Sequence, residues 1–204
     1  MSNQSSDNNK RIAKNTLLLY FRMLFLMFIG LFTSRINLQS LGVDNFGIYN
    51  VVGGVVAMFS VLTGSLSVAI SRDITFEIGR GDKEKLSKVF SSAVTIQIFM
   101  SVIVVLIAEV AGVWFLNNKM VIPTDRLDAA NWVLQFSIVS FVLTLISVPY
   151  NACIIAHEKM SAFAYITIYE AIMKLLIAYS VFVTPIDKLI TYAALLLFLS
   201  FSMR

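Results

Sequence analysis

The chain has 204 residues, 58% of them hydrophobic and only 14% charged, with a formal net charge of +4 and a mean hydropathy of +0.81. Soluble domains run roughly 45–50% apolar and about 25% charged, so a water-solvated core cannot absorb this much apolar surface. The positive charge does not argue for nucleic acid, because the basic residues concentrate in particular connections, where they orient a chain in a membrane. One cysteine, Cys153, excludes an intramolecular disulfide, and with the lone His157 it builds none of the usual metal spacings. No cofactor and no metal are expected.

In chain order, residues 1–16 form a polar leader carrying Lys10, Arg11 and Lys14, expected to be cytoplasmic. The apolar run from Leu17 to Thr33 exceeds a typical signal core and lacks a small-x-small cleavage site after it, so it reads as an uncleaved first span. Apolar runs near or above the roughly 18–20 residues needed to cross hydrocarbon predict spans at about 17–38, 47–71, 88–116, 131–156, 162–184 and 189–203. The expected fold is all-α, a six-helix transmembrane lobe over 17–204. One side of that frame holds Lys10, Arg11, Lys14, Arg72, Arg80, Lys83, Lys85, Lys88, Lys159 and Arg204, against Lys119, Arg126 and Lys188 on the other. Ten basic residues against three predict a cytoplasmic amino terminus, and Trp114 and Trp132 fall at the outer ends of spans three and four, as interfacial indoles do. The charged stretch 72–88 reads as a short cytoplasmic helical hairpin, and its Arg80-Gly81-Asp82 tripeptide as a chance match to adhesion ligands. Pro123 and Pro185 lie in outer connections, whereas Pro149 falls inside span four, where it bends the helix and frees the carbonyl of Leu145.

Span two carries Gly53, Ala57, Ser60, Gly64, Ser67 and Ser71 at alternating spacings of four and three, one continuous small-residue face. Such a face reads first as a helix-packing stripe, with the wall of a wide cavity as the alternative. No phosphate-binding glycine loop, zinc-protease helix or nucleophile elbow is present, so the chain is not expected to be an enzyme. The informative residues are charges inside apolar runs, each costing several kcal/mol in hydrocarbon unless paired or wetted. Glu170 and Lys174 stand four apart near the centre of span five, in the order that favours a pair, with Tyr169 adjacent and Tyr165 a turn earlier. They form either a self-neutralising pair or the edge of an aqueous cavity in which Lys174 meets an anion. Arg22 either snorkels to the headgroups or lines that cavity; Arg35 has a similar escape at the outer end. Glu109 is the remaining intramembrane acid, a proton site or a buried neutral acid without a role.

These features come in a familiar order: Arg-Ile-Ala-Lys-Asn-Thr at 11–16, then the outer-connection signature Leu41-Gly42-Val43-Asp44-Asn45-Phe46-Gly47-Ile48-Tyr49. A glycine-rich second span follows, with Ser71-Arg72 at its inner end and Pro149-Tyr150-Asn151 and Glu158-Lys159 around the end of span four. The chain resembles the O-antigen and polysaccharide flippases of the multidrug, oligosaccharidyl-lipid and polysaccharide exporter superfamily, over the length of one of their two lobes. The resemblance implies alternating-access export of an undecaprenyl-pyrophosphate-linked oligosaccharide across the inner membrane, for O-antigen or another surface polysaccharide. It further implies that Arg22 and Lys174 act as cavity cations. Beside them, Tyr165, Tyr169 and Asn151, with Tyr20 and Tyr150, are candidate sugar contacts by their chemistry, and Glu170 and Glu109 are candidate ion or proton sites by their intramembrane position. The lobe's expected partners are the bilayer, the lipid-linked sugar, and a carboxy-terminal lobe or second copy.

Two other readings compete. A drug or organic-cation exporter of the same superfamily would prefer an acidic cavity and rests on Glu109 and Glu170. A non-transporting membrane subunit or a truncated fragment rests on the missing second lobe.

Overall fold

A computed structural model describes residues 2–185 and 187–203, with side chains described except for residues 2–12, 14 and 62. The side chains of Lys10, Arg11 and Lys14, and Arg204 altogether, lie outside the described residues. Helix α1 covers Ser2–Ala57, α2 Ser60–Arg80 and α3 Lys83–Ile107, which continues through a π-helical turn at Ala108–Gly112 into α4, Val113–Asn118. A 3₁₀ turn at Thr124–Arg126 leads into α5, Leu127–Ala156, followed by α6, Met160–Val183, and α7, Lys188–Ser202. The fold is all-α among the described residues.

Four helical stretches are long and apolar enough to cross a membrane: Asn15–Ala57, Lys83–Asn118, Thr124–Ala156 and Met160–Val183; α7 is apolar but shorter. The first of these has 43 residues, roughly 65 Å if straight, about twice the hydrocarbon thickness. It does not run straight. Gly42 adopts φ 81 and ψ 167, a backbone region open essentially to glycine alone, and breaks the helix there. Asn37 and Tyr49, which twelve helical residues would hold roughly 18 Å apart, both touch the same Tyr192: Asn37 Nδ2 donates to its hydroxyl at 2.6 Å, and the Tyr49 ring meets its ring edge-on at 5.0 Å. Two limbs therefore fold back on one another at Gly42. The outer connection read over 39–46 is in fact helical on both sides of this single residue, so packing overrides the weak helix preference of Val43, Asp44, Asn45 and Gly47. The expected span 47–71 is likewise divided, at Met58–Phe59, between the second limb of α1 and the start of α2.

The charged stretch 72–88 is a helical hairpin, but its turn is only Gly81–Asp82. Gly81 closes α2 in the left-handed conformation, and Asp82 caps α3 by accepting from the Lys85 N–H. That backbone donor holds the exposed Asp82 carboxyl below the usual aspartate range. At the far end, Asp187 Oδ1 accepts from the N–H groups of Leu189 and Ile190 and starts α7.

Three apolar clusters hold the bundle. The largest joins the second limb of α1, the α3 end, α5 and α7 through Val52, Val104, Val133, Leu145 and Leu189. A second packs Ile36 and Leu41 on Ile177, Ala178, Val181 and Leu199. A third sets Ile70 and Ile74 of α2 against Ala93, Val148 and Ala152. Arg22 meets Thr167 and Ile36 meets the Ile177 region, so the first limb of α1 and α6 run in the same direction. Outward, Phe21, Met27, Phe28 and Leu31 of that limb are exposed, as lipid-facing side chains are.

Candidate functional site

Glu170 and Lys174 lie in the middle of α6, one turn apart, and Lys174 Nζ sits 2.8 Å from Glu170 Oε1. Both are part-exposed, with Lys174 at 48% and Glu170 at 27%, so the pair opens onto space instead of being sealed in protein. Lys174 borders two cavities. The larger, about 400 Å³, is lined by Tyr49, Gly53, Ala57 and Ser60 on one side and Ser137, Ser140, Thr144 and Ser200 on the other. A smaller one of about 250 Å³ lies between the two limbs of α1 and α6, bordered by Gly30, Thr33, Ser34, Asn37, Tyr49, Asn50 and Ala171. Tyr49 and Lys174 are common to both, so the ammonium stands where the cavities meet.

The small-residue face of span two divides accordingly. Gly53, Ala57 and Ser60 line the larger cavity, and a Cβ added at Gly53 or Gly64 would meet nothing within 4 Å. Ser71 borders an exposed groove with Arg72 and Phe76, and Gly64 and Ser67 line neither cavity. A close helix approach occurs at Gly112 instead, where an added Cβ would lie 3.6 Å from Leu134.

Arg22 borders neither cavity at Lys174. Its Nε donates at 2.8 Å to the Oγ1 of Thr167, two turns before Lys174 on α6, and its guanidinium lies 4.4 Å over the Phe163 ring. This cation–π contact and hydrogen bond staple α1 to α6. Tyr165 and Tyr169 are mostly exposed and line neither cavity. Asn151 is half-buried two residues beyond the fully buried Pro149, and also lines neither. Tyr20 is exposed, while Tyr150 stacks edge-on against Phe90 at 5.3 Å.

Glu109 lies in the π-helical turn, and its Oε2 accepts from Gln135 Nε2 of α5 at 2.9 Å. A π turn shifts the side chains that follow it by one register position, and such turns recur at functional sites. Glu109 borders neither cavity at Lys174, so the two intramembrane acids do not share a site. Among the described residues, no group of three or more His, Cys, Asp and Glu could hold a metal ion.

Sequence reasoning missed the hydroxyl wall of α5. Ser137, Ser140 and Thr144 are spaced three and four apart, the same signal that picked out span two. It also missed Asn37, Tyr49 and Tyr192, whose meeting depends on the reversal at Gly42.

No protein-family profile matches the chain, and no solved structure matches it. A distant likeness is found to the uncharacterized membrane protein EpsK of Bacillus subtilis (strain 168), 25% identical over 127 residues. The matched stretch covers 62% of this chain and only a quarter of that protein's length. The chain is a multi-pass helical membrane protein with distant, partial homology to EpsK.

Proposed function

We propose that this chain is one six-crossing lobe of an alternating-access transporter that flips a pyrophosphate-linked, lipid-anchored oligosaccharide across the cytoplasmic membrane. The observation that carries the reading is Lys174, a cation placed where two cavities with hydroxyl or amide groups in their walls meet inside an apolar bundle. An ammonium that opens onto a cavity between protein walls attracts an anion more strongly than one in bulk water, and hydroxyl groups in those walls suit a carbohydrate. Glu170 neutralises the ammonium until a phosphate competes for it.

Six crossings are supported by the parallel course of the first α1 limb and α6, the directions expected of spans one and five. The α2–α3 and α5–α6 turns share one end through the cluster around Ile74 and Val148, and that end carries Arg72, Arg80, Lys83, Lys85, Lys88 and Lys159. The opposite end carries Lys119, Arg126 and Lys188. The basic end is the cytoplasmic one in this reading, with the amino terminus there too. The partners are then the bilayer, the lipid-linked sugar and a second lobe or second copy, and the protein is a carrier without catalytic chemistry of its own.

The test is Lys174→Met in the intact transporter. Expression and membrane insertion are expected to stay normal while export of surface polysaccharide falls at least tenfold. Unchanged export at normal expression removes Lys174 from the mechanism, and dye efflux abolished by Glu170→Gln transfers the site to an organic-cation exporter.

A further inference from the structure

The smaller cavity is the more unusual of the two. Its wall carries Thr33, Ser34, Asn37 and Asn50 on the two limbs of an otherwise largely apolar α1. Asn37 is only 6% exposed, and its Nδ2 is committed to Tyr192, yet its Oδ1 has no partner. Thr33 Oγ1 is also buried without a partner. A buried polar atom left unpaired costs about 1–3 kcal/mol, so two of them beside one cavity need a reason. Asn37 Oδ1 can only accept and so lacks a donor, while the Thr33 hydroxyl, unpartnered as donor and as acceptor, can serve a ligand either way. An anion cannot satisfy a carbonyl oxygen; a hydroxyl or an acetamido N–H can.

We infer that this cavity is a neutral sugar subsite, taking the saccharide next to the phosphates while Lys174 holds the phosphates at its mouth; the inference rests on the transport reading above. The volume of about 250 Å³ lies below that of sites that enclose a whole drug-sized ligand, and fits a single ring. Phe46 and Tyr49 offer apolar faces against which a pyranose packs, and Ser34 and Asn50 stand on the exposed part of the wall. Both unpartnered oxygens are covered in this conformation, so capture of a donor requires their side chains to turn toward the cavity they border. Sugar entry and the rotation of these two side chains are therefore one event.

The experiment measures binding to nanodiscs carrying either undecaprenyl pyrophosphate or undecaprenyl-pyrophosphoryl-N-acetylglucosamine. Wild-type protein is expected to prefer the sugar-bearing lipid by about tenfold, the size of two net hydrogen bonds. Thr33→Val, which preserves shape, should cut that preference several-fold, and Asn37→Leu should abolish it. Tyr192→Phe breaks the Asn37 bond without touching Oδ1 and should keep the preference, which a merely structural role for Asn37 would not. Lys174→Met should weaken both lipids equally. If Thr33→Val and Asn37→Leu leave the preference intact, the subsite is overturned while the transport reading stands. If wild-type protein binds neither lipid, both fail together.

Discussion

Asp187 accepts from Arg126 across 61 residues of sequence, Nη1 to Oδ2 at 2.7 Å, while its other oxygen caps α7. One carboxylate thus starts a helix and ties the α4–α5 connection to the α6–α7 connection. The pair is about one third exposed on each side, so its charge contributes less than a buried pair would.

Asp187→Ala removes both roles and is expected to cost about 1–2 kcal/mol, mostly from the cap. Asp187→Asn retains a capping oxygen and should lose well under half of that. Thermal unfolding in detergent, compared across both variants, checks the order; equal losses would show that charge, not capping, dominates.

Gly42→Ala probes the reversal of α1. The backbone there lies where only glycine is at ease, while an added Cβ would meet nothing within 4 Å. The whole cost is therefore conformational, about 1–3 kcal/mol, without a steric clash. A lowered melting temperature is expected, accompanied by faster hydrogen exchange on both sides of residue 42. Gly30→Ala, in regular helix with equally open space, serves as the comparison and should be neutral or mildly stabilising.

Gln97→Leu should raise stability. Gln97 is fully buried in α3, and neither its amide nitrogen nor its amide oxygen has a partner. Replacing the amide by an apolar group of similar size relieves a desolvation cost of about 1–3 kcal/mol. Gln97 lies on α3 between Ala93, which packs with Val148, and Val104, which shares a cluster with Leu145, the residue whose carbonyl Pro149 leaves without its helical donor. A drop in stability instead of a rise would mean that the amide serves that carbonyl in solution, and the drop should then vanish in a Pro149→Ala background.

The later helices were legible in the sequence because Pro123, Pro185 and flanking charges bound long apolar runs: the expected starts at 131, 162 and 189 lie within four residues of Leu127, Met160 and Lys188. The Glu170–Lys174 pair was legible for a local reason, since four-residue spacing brings two side chains together whatever the tertiary fold. The cavities they border were not, because their walls come from five helical segments whose registers depend on the turn at Gly42. Nothing local distinguishes an arginine that will find Thr167 from one that reaches for headgroups. Tyr165 and Tyr169 were attractive by adjacency to Glu170, yet neighbours in a helix point about 100° apart, and theirs is a different face.

Arg22 and Thr167 are separated by 145 residues, and that distance sets a schedule for assembly. At roughly 5–20 residues per second, the first helix emerges on the order of 10 s before the segment that will hold its guanidinium exists. During that interval the arginine has only water and headgroups to lean on, so biogenesis must hold the first helix near an interface until α6 arrives, and any stop in translation before then strands it there.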